Sequence, residues 1–216
     1  TDKSEVTQIL QWSPDGRIYY MATLPGRPGT RHLHRIESGG TGAECITCNG
    51  TEMSRRLQRE DCQYFDINMS LNNGSFHVMT CQGPDLPWMC IHHTSTDKLI
   101  MELTTNERLK KRLEKRVLPT TKIVRVPVPG VDESDQQAQV KLYYPPEFRP
   151  EEKYPLIVYV YGGPGFQTVD EKWEFADYRT YLAGSKGVIY AVVDPRGSGF
   201  QGNDWRHAVF HRFGTD

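Results

Sequence analysis

The sequence predicts two architectures in one chain: an all-β array of β-propeller blades over residues 1–118, then the opening of an α/β domain over residues 119–216. Three observations carry this. A turn followed by a strand occurs twice, at Trp12–Ala22 and again at 72–80. Two wholly apolar runs, Leu156–Tyr161 and Val188–Val193, are separated by a helix-length segment. The first of these runs opens directly into Gly162-Gly163-Pro164-Gly165. Short strands at regular spacing with turn signals suit propeller blades, and continuous apolar strands joined through a helix indicate parallel pairing in a sheet covered on both faces.

In order along the chain, Trp12-Ser13-Pro14-Asp15-Gly16 is a tight turn, because proline presets φ and glycine supplies positive φ. It feeds the strand Arg17–Ala22, and a further strand follows at Arg31–Ile36. The second copy has Asn72-Asn73-Gly74 feeding Ser75–Thr80, with its following strand at Trp88–His93. From Asn106 to Val117, Leu109, Leu113 and the adjoining Leu118 lie among charges, which predicts a short amphipathic connector helix ended by Pro119. Ile123–Val128 and Val140–Tyr144 read as an antiparallel pair around the polar loop Asp132–Gln137. A proline-rich turn then leads to a buried strand at Tyr154–Tyr161, a helix over Asp170–Leu182 and the strand Val188–Val193. Trp173, Phe175, Ala176, Tyr178 and Leu182 are the candidate buried positions of that helix.

The 216 residues are 37% hydrophobic and 25% charged, with a net charge of −1. Such a balance supports a core but sets up no field to recruit nucleic acid or an anionic membrane. The basic run Lys110-Lys111-Arg112 is a solvated helix face. No apolar run approaches bilayer length and no signal-peptide pattern opens the chain, whose first residue, Thr1, leaves room for an upstream anchor or signal.

Five cysteines, Cys45, Cys48, Cys62, Cys81 and Cys90, allow two disulfides and one leftover thiol. Three glycosylation sequons share their region, at Asn49, Asn68 and Asn73. Together these signs favour the secretory route and an extracellular or cell-surface location. A zinc site at Cys45-x-x-Cys48 would need a second close pair, which the spacing of Cys62 and Cys81 does not supply. No metal and no cofactor is expected.

In acyl transfer a carbonyl oxygen becomes an anion, and preorganised donors aimed at it stabilise the transition state. Tyr161 ends an apolar strand beside a glycine-rich loop, where a neutral phenol can donate such a bond or merely cap the strand. No Gly-x-Ser-x-Gly turn occurs, so the chain is expected to be a fragment truncated before the nucleophile and inactive alone. Gly197-Ser198-Gly199-Phe200-Gln201-Gly202 matches the Gly-x-Gly-x-x-Gly of dinucleotide sites, yet Asp194-Pro195-Arg196 separates it from its strand. His207 and His211 have the i, i+4 spacing of helical metal ligands, but Ala208 stands where a zinc protease needs glutamate, and a plain structural pair is the better reading. Cys90, on an apolar strand, reads as packing rather than a nucleophile.

These residues resemble the dipeptidyl peptidase IV branch of the prolyl oligopeptidase family of serine peptidases, over essentially the whole chain. The resemblance rests on the cysteine arrangement, Cys81-x-Gly83-Pro84, Lys153-Tyr154-Pro155-Leu156, Val160-Tyr161-x-Gly163-Pro164, Thr180-Tyr181-Leu182-Ala183 and Asp194-x-Arg196-Gly197-Ser198-Gly199-Phe200-Gln201-Gly202. It implies a propeller packed over an α/β-hydrolase domain, with Tyr161 as the oxyanion-hole hydroxyl and a Ser/Asp/His triad outside this chain. The implied substrates are peptides with proline or alanine in second position, cleaved to release a dipeptide. It also implies disulfides Cys45–Cys48 and Cys62–Cys81, an unpaired Cys90, and a structural role for the Gly197–Gly202 turn. On that pairing, Cys62–Cys81 pins the first strand of its blade to the third, and Cys45–Cys48 closes a small loop between blades. A membrane-anchored parent and a homodimer are both compatible with it. Gly162, Gly165 and Pro195 depart from the family's usual Ala, Cys and Gly. Features of residues 164–172 are nearer to the non-catalytic dipeptidyl-peptidase-like channel accessory proteins, a binding-protein alternative, but those relatives lack the tyrosine found at 161.

Overall fold

The computed structural model describes residues 4–71, 73–128, 137–174, 177–212 and 214. They form two compact units, one of Ser4–Glu107 with Glu171–Trp173, the other of Arg108–Asp170 with the residues from Glu174 onward.

Two propeller blades make up the first unit. One is the antiparallel run β1 (Val6–Trp12), β2 (Arg17–Leu24), β3 (Arg27–Glu37) and the two-residue β4 (Glu44–Cys45). The other is β5 (Tyr64–Met69), β6 (Phe76–Gly83), β7 (Trp88–His93) and β8 (Lys98–Thr104). A single parallel bridge, Arg31 to Tyr64, joins them. Gly16 sits at φ +81° and donates to the Ser13 carbonyl at 3.0 Å, so the turn before β2 needs the glycine that the sequence provides. Between the blades a short helix, α1 (Glu52–Leu57), which the sequence did not suggest, is capped by the Thr51 side chain.

Alternation along β6 and β7 turns one side of each strand inward, where Met79, Cys81, Trp88 and Cys90 join Tyr19, Met21, Leu33, Met53, Phe65 and Ile67 in one core. Cys62 and Cys81 are disulfide-bonded, as are Cys45 and Cys48. The expected strand order is corrected, however: Cys62 precedes β5 and Cys81 lies on β6, so the bridge joins the first strand to its immediate neighbour rather than to the third. Gly83 has a packing reason as well. A Cβ there would stand 2.1 Å from the Glu171 carbonyl oxygen, where the backbone of Glu171–Trp173 passes and Trp173 N–H donates to Gln82 at 2.7 Å.

The second unit holds β9 (Thr120–Pro127), β10 (Gln137–Tyr144), β11 (Leu156–Val160) and β12 (Ile189–Asp194), in the spatial order β11-β12-β10-β9. β9 and β10 form the expected antiparallel pair, from Gln137 opposite Pro127 to Tyr144 opposite Thr120. Residues 132–136 of their connecting loop lie outside the described residues. β11 and β12 run parallel, as their apolar sequences require. Tyr143, Val169, Ala183, Tyr190 and Val192 form the core.

Four expectations are corrected here. β11 was expected to be buried, but every residue from Leu156 to Val160 is exposed, because β11 is the edge strand of this sheet and among the described residues nothing pairs with its free side. The helix expected over Asp170–Leu182 starts only at Tyr178 (α3, Tyr178–Lys186), with Asp177 as its N-cap. Upstream the chain bonds elsewhere: Glu171 and Trp173 N–H groups go to Gly29 and Gln82, while the Glu174 carboxylate accepts from the Tyr143 hydroxyl and pairs with Lys141 and Arg179. Tyr178, a candidate buried position, is exposed; Phe175 and Ala176 lie outside the described residues. The connector helix, α2, spans only Glu107–Leu113 and buries no side chain, so little tertiary contact extends it. Finally, the last helix, α4, ends at His207 (Asn203–His207), and His211 lies beyond it at φ +57°. The two histidines therefore do not share a helical face.

Candidate active site

Parallel strands place their carboxyl ends side by side, and in open α/β sheets ligands gather there. Val160 of β11 is the partner of Val193 of β12, so Tyr161 and Asp194 are the next residues at the same end of the sheet. The loops that follow them build the candidate site.

After Tyr161 the chain turns at once, with Gly162 at φ +71°. Gly163 follows for a steric reason: a Cβ on it would lie 2.5 Å from Cε1 of Tyr161, so the phenol ring rests directly on a bare backbone. Phe166 closes the other side, its ring centroid 4.5 Å from that of Tyr161 with the planes 43° apart. Tyr161 is 57% exposed and Phe166 52%. Among the described residues the Tyr161 hydroxyl takes no hydrogen-bond partner, so its proton is available to an incoming acceptor.

The loop after β12 fastens this one. Gly165 N–H donates to the Gly197 carbonyl at 2.7 Å, and Gly199 N–H donates to the Phe166 carbonyl at 3.0 Å. A Cβ on Gly199 would meet the Gly165 oxygen at 2.5 Å, so this approach is open only to glycine. Asp194, 3% exposed, accepts from the N–H groups of Thr168 and Val169, both at 2.9 Å, and from the Thr168 hydroxyl. Burial pushes its carboxyl above the ordinary value, against the opposing pull of those hydrogen bonds. The outcome is one fastened platform at the sheet end, from which a neutral phenol projects into solvent. That arrangement can donate a hydrogen bond to a developing oxyanion.

The glycines of the Gly-x-Gly-x-x-Gly segment serve this packing. Gly197 has Val209 against it, Gly199 approaches Gly165, and Gly202 takes φ +89° before the five-residue α4. The buried Trp205 anchors the turn by accepting from Gly197 N–H at 3.0 Å. Cys90 is wholly buried, and desolvation, helped by the charges of Asp97, Glu102 and Glu52, pushes its thiol up to about 12, which suits packing and not nucleophilic attack. Asn49, Asn68 and Asn73 are all exposed. Sequence reasoning missed Phe166, Gly199 as a contact residue, and the Asp194 bonds. An aromatic three residues beyond a glycine pair was the available sign of the first.

Residues 1–88 match the Dipeptidyl peptidase IV (DPP IV) N-terminal region, and residues 173–216 match the Prolyl oligopeptidase family. Over 99% of its length the chain is 34% identical to Prolyl endopeptidase FAP of Mus musculus, covering 26% of that protein. It is also 34% identical to Dipeptidyl peptidase 4 of Sus scrofa, over the whole chain and 28% of that protein. The chain thus spans about a quarter of the length of these relatives. Dipeptidyl peptidase 4 of Porphyromonas gingivalis superimposes with a TM-score of 0.80 at 23% identity, over 99% of this chain and 28% of that one, which shows the shared fold. With a propeller match at one end, a hydrolase match at the other and relatives aligned throughout, the chain belongs to the dipeptidyl peptidase IV branch of the prolyl oligopeptidase family.

Proposed function

We propose that the protein carrying this chain is a serine exopeptidase that releases dipeptides from peptides with proline or alanine in second position. In this reading a serine supplied by the rest of the polypeptide attacks the carbonyl after the second residue, a histidine takes its proton, and an aspartate orients that histidine. Tyr161 supplies the hydrogen bond that meets the oxyanion. The observation that carries this role is an exposed, unpartnered phenol hydroxyl at the carboxyl end of a parallel strand, held by Phe166 and the Gly163 backbone. The domain division at residue 118 is kept as part of the proposal. Two disulfides and three exposed sequon asparagines support a secreted or cell-surface protein, with Asn49, Asn68 and Asn73 as glycan carriers. No helix among the described residues is long and apolar enough to cross a membrane.

The test uses the full-length protein and a pair of peptides that share an Xaa-Pro start, one with a free and one with an acetylated amino terminus. Dipeptide release from the free peptide alone is expected. Equal cleavage of both would assign an endopeptidase, and no cleavage of either would favour the non-catalytic accessory alternative.

A further inference from the structure

The inward faces of β6 and β7 meet rung by rung: Cys81 opposite Trp88, Met79 opposite Cys90, and His77 opposite His92. The first two rungs are apolar core. At the third stand two imidazoles, each 2% exposed, stacked with centroids 5.5 Å apart and 28° between planes. The turn between β7 and β8 closes over them. Asp97 places its Oδ1 and its backbone carbonyl each 3.0 Å from His92 Nδ1, and the Thr94 hydroxyl lies 3.2 Å from His77 Nδ1. One nitrogen of each imidazole and one oxygen of Asp97 lie within 4.8 Å of one another.

Among the described residues Nε2 of both rings is buried without a hydrogen-bond partner. Buried polar atoms left so are costly, and a rung of methionine or leucine would fill the same space without that cost. We propose that His77, His92 and Asp97 form a divalent transition-metal site of the zinc class at the β7–β8 turn of the second blade. Two imidazole nitrogens and one carboxylate oxygen suit zinc or copper, and suit calcium or magnesium poorly.

Ligand atoms about 2.0–2.2 Å from a tetrahedral zinc ion stand roughly 3.3 Å from each other. The His92–Asp97 pair is at nearly that spacing already. Asp97 is 42% exposed, so its side chain can adjust and solvent can enter as a fourth ligand, while the two rings draw closer for His77 to join. His92 Nδ1 faces two acceptors of Asp97 and so carries the ring's proton, which moves to Nε2 when Nδ1 binds a metal. Opposed strand positions hold the two rings in register, which fixes the site before any metal arrives. Among the described residues a second cluster of this kind, His32 with Cys45 and Cys48, has its sulfurs tied in a disulfide and offers no thiolates.

The test is calorimetric titration of the chelator-treated full-length protein with Zn²⁺, read beside the visible spectrum of the Co²⁺ form and the paramagnetic resonance of the Cu²⁺ form. One equivalent that Asp97→Asn weakens by at least ~10-fold is expected. Asp97 sits at φ +51°, which asparagine adopts as readily, so that variant keeps the turn. The exposed-histidine variant His207→Gln/His211→Gln should keep the equivalent, and His77→Gln/His92→Gln should lose it. Should the histidine variant not fold, coupling of Cu²⁺ to two nitrogens in the unmodified protein identifies the same pair of imidazole ligands. Absence of uptake, an Asp97→Asn affinity equal to the parent's, or a Cu²⁺ signal without two nitrogens would overturn the proposal.

Discussion

Phe166 and Tyr161 hold each other: the two rings stand 4.5 Å apart at the mouth of β11, both about half exposed, with the Gly163 backbone beneath the phenol. An exposed tyrosine would otherwise sample several rotamers, so this contact limits where its hydroxyl points.

Phe166→Ala in the full-length protein should therefore lower kcat by about ten-fold while KM changes little, because orientation of a catalytic donor is felt chiefly in the transition state. Phe166→Tyr, which keeps a ring against Tyr161, should restore most of the rate. Steady-state kinetics on a glycyl-prolyl reporter decide this, and an Ala variant with parental kcat would remove Phe166 from the account.

The join between the two loops is the next point of attack. Gly199→Ala drives a Cβ to 2.5 Å from the Gly165 carbonyl oxygen, a backbone atom that moves only with its loop. A cost of about 1–3 kcal/mol is expected from such overpacking, together with a loss of kcat, since Gly165 and Phe166 lie on the loop that carries Tyr161. Gly42→Ala, with nothing within 4 Å of the added atom, serves as control. Thermal melting and kinetics that fail to separate the two variants would contradict the fastening role of Gly199.

Two buried histidines give the propeller unit an acid sensitivity. His32 and His77 each have a pKa lowered to about 4, in both cases first by burial and then by a neighbouring histidine. In the unfolded chain they titrate near the ordinary value of about 6.5, so between pH 4 and 6.5 the unfolded state binds more protons and stability rises with pH. The contribution is complete above about pH 6.5 and disappears as pH falls toward 4, by about 3 kcal/mol per histidine at most. Denaturant titrations across that window should show the slope, and His77→Gln should flatten it. A pH-independent stability from 6.5 down to 4 would contradict the burial of both rings.

Much of this architecture is legible in the sequence because the signals are local. Pro14-Asp15-Gly16 marks its turn through φ alone, Asn73-Gly74 marks the turn that feeds β6, and the apolar run Ile189–Val193 reads as a strand. What the sequence hides is set by partners distant along the chain. β11 reads as buried because its residues are apolar, but burial depends on which strand lies beside it, and here it is an edge. The late start of α3 depends on Glu171, Trp173 and Glu174 finding partners at Gly29, Gln82 and Tyr143. The same holds within the site. Tyr161 and its glycines stand out as a motif, whereas the pairing of Gly199 with Gly165 joins two loops that only the parallel register of β11 and β12 brings together.

The most direct measurement is the rate of the full-length protein carrying Tyr161→Phe on a glycyl-prolyl reporter. Removing one oxyanion donor costs about 100-fold or more in kcat, and the account predicts that loss with the fold and KM preserved. A variant that turns over at the parental rate would leave Tyr161 as a packing residue and the proposed chemistry without its donor.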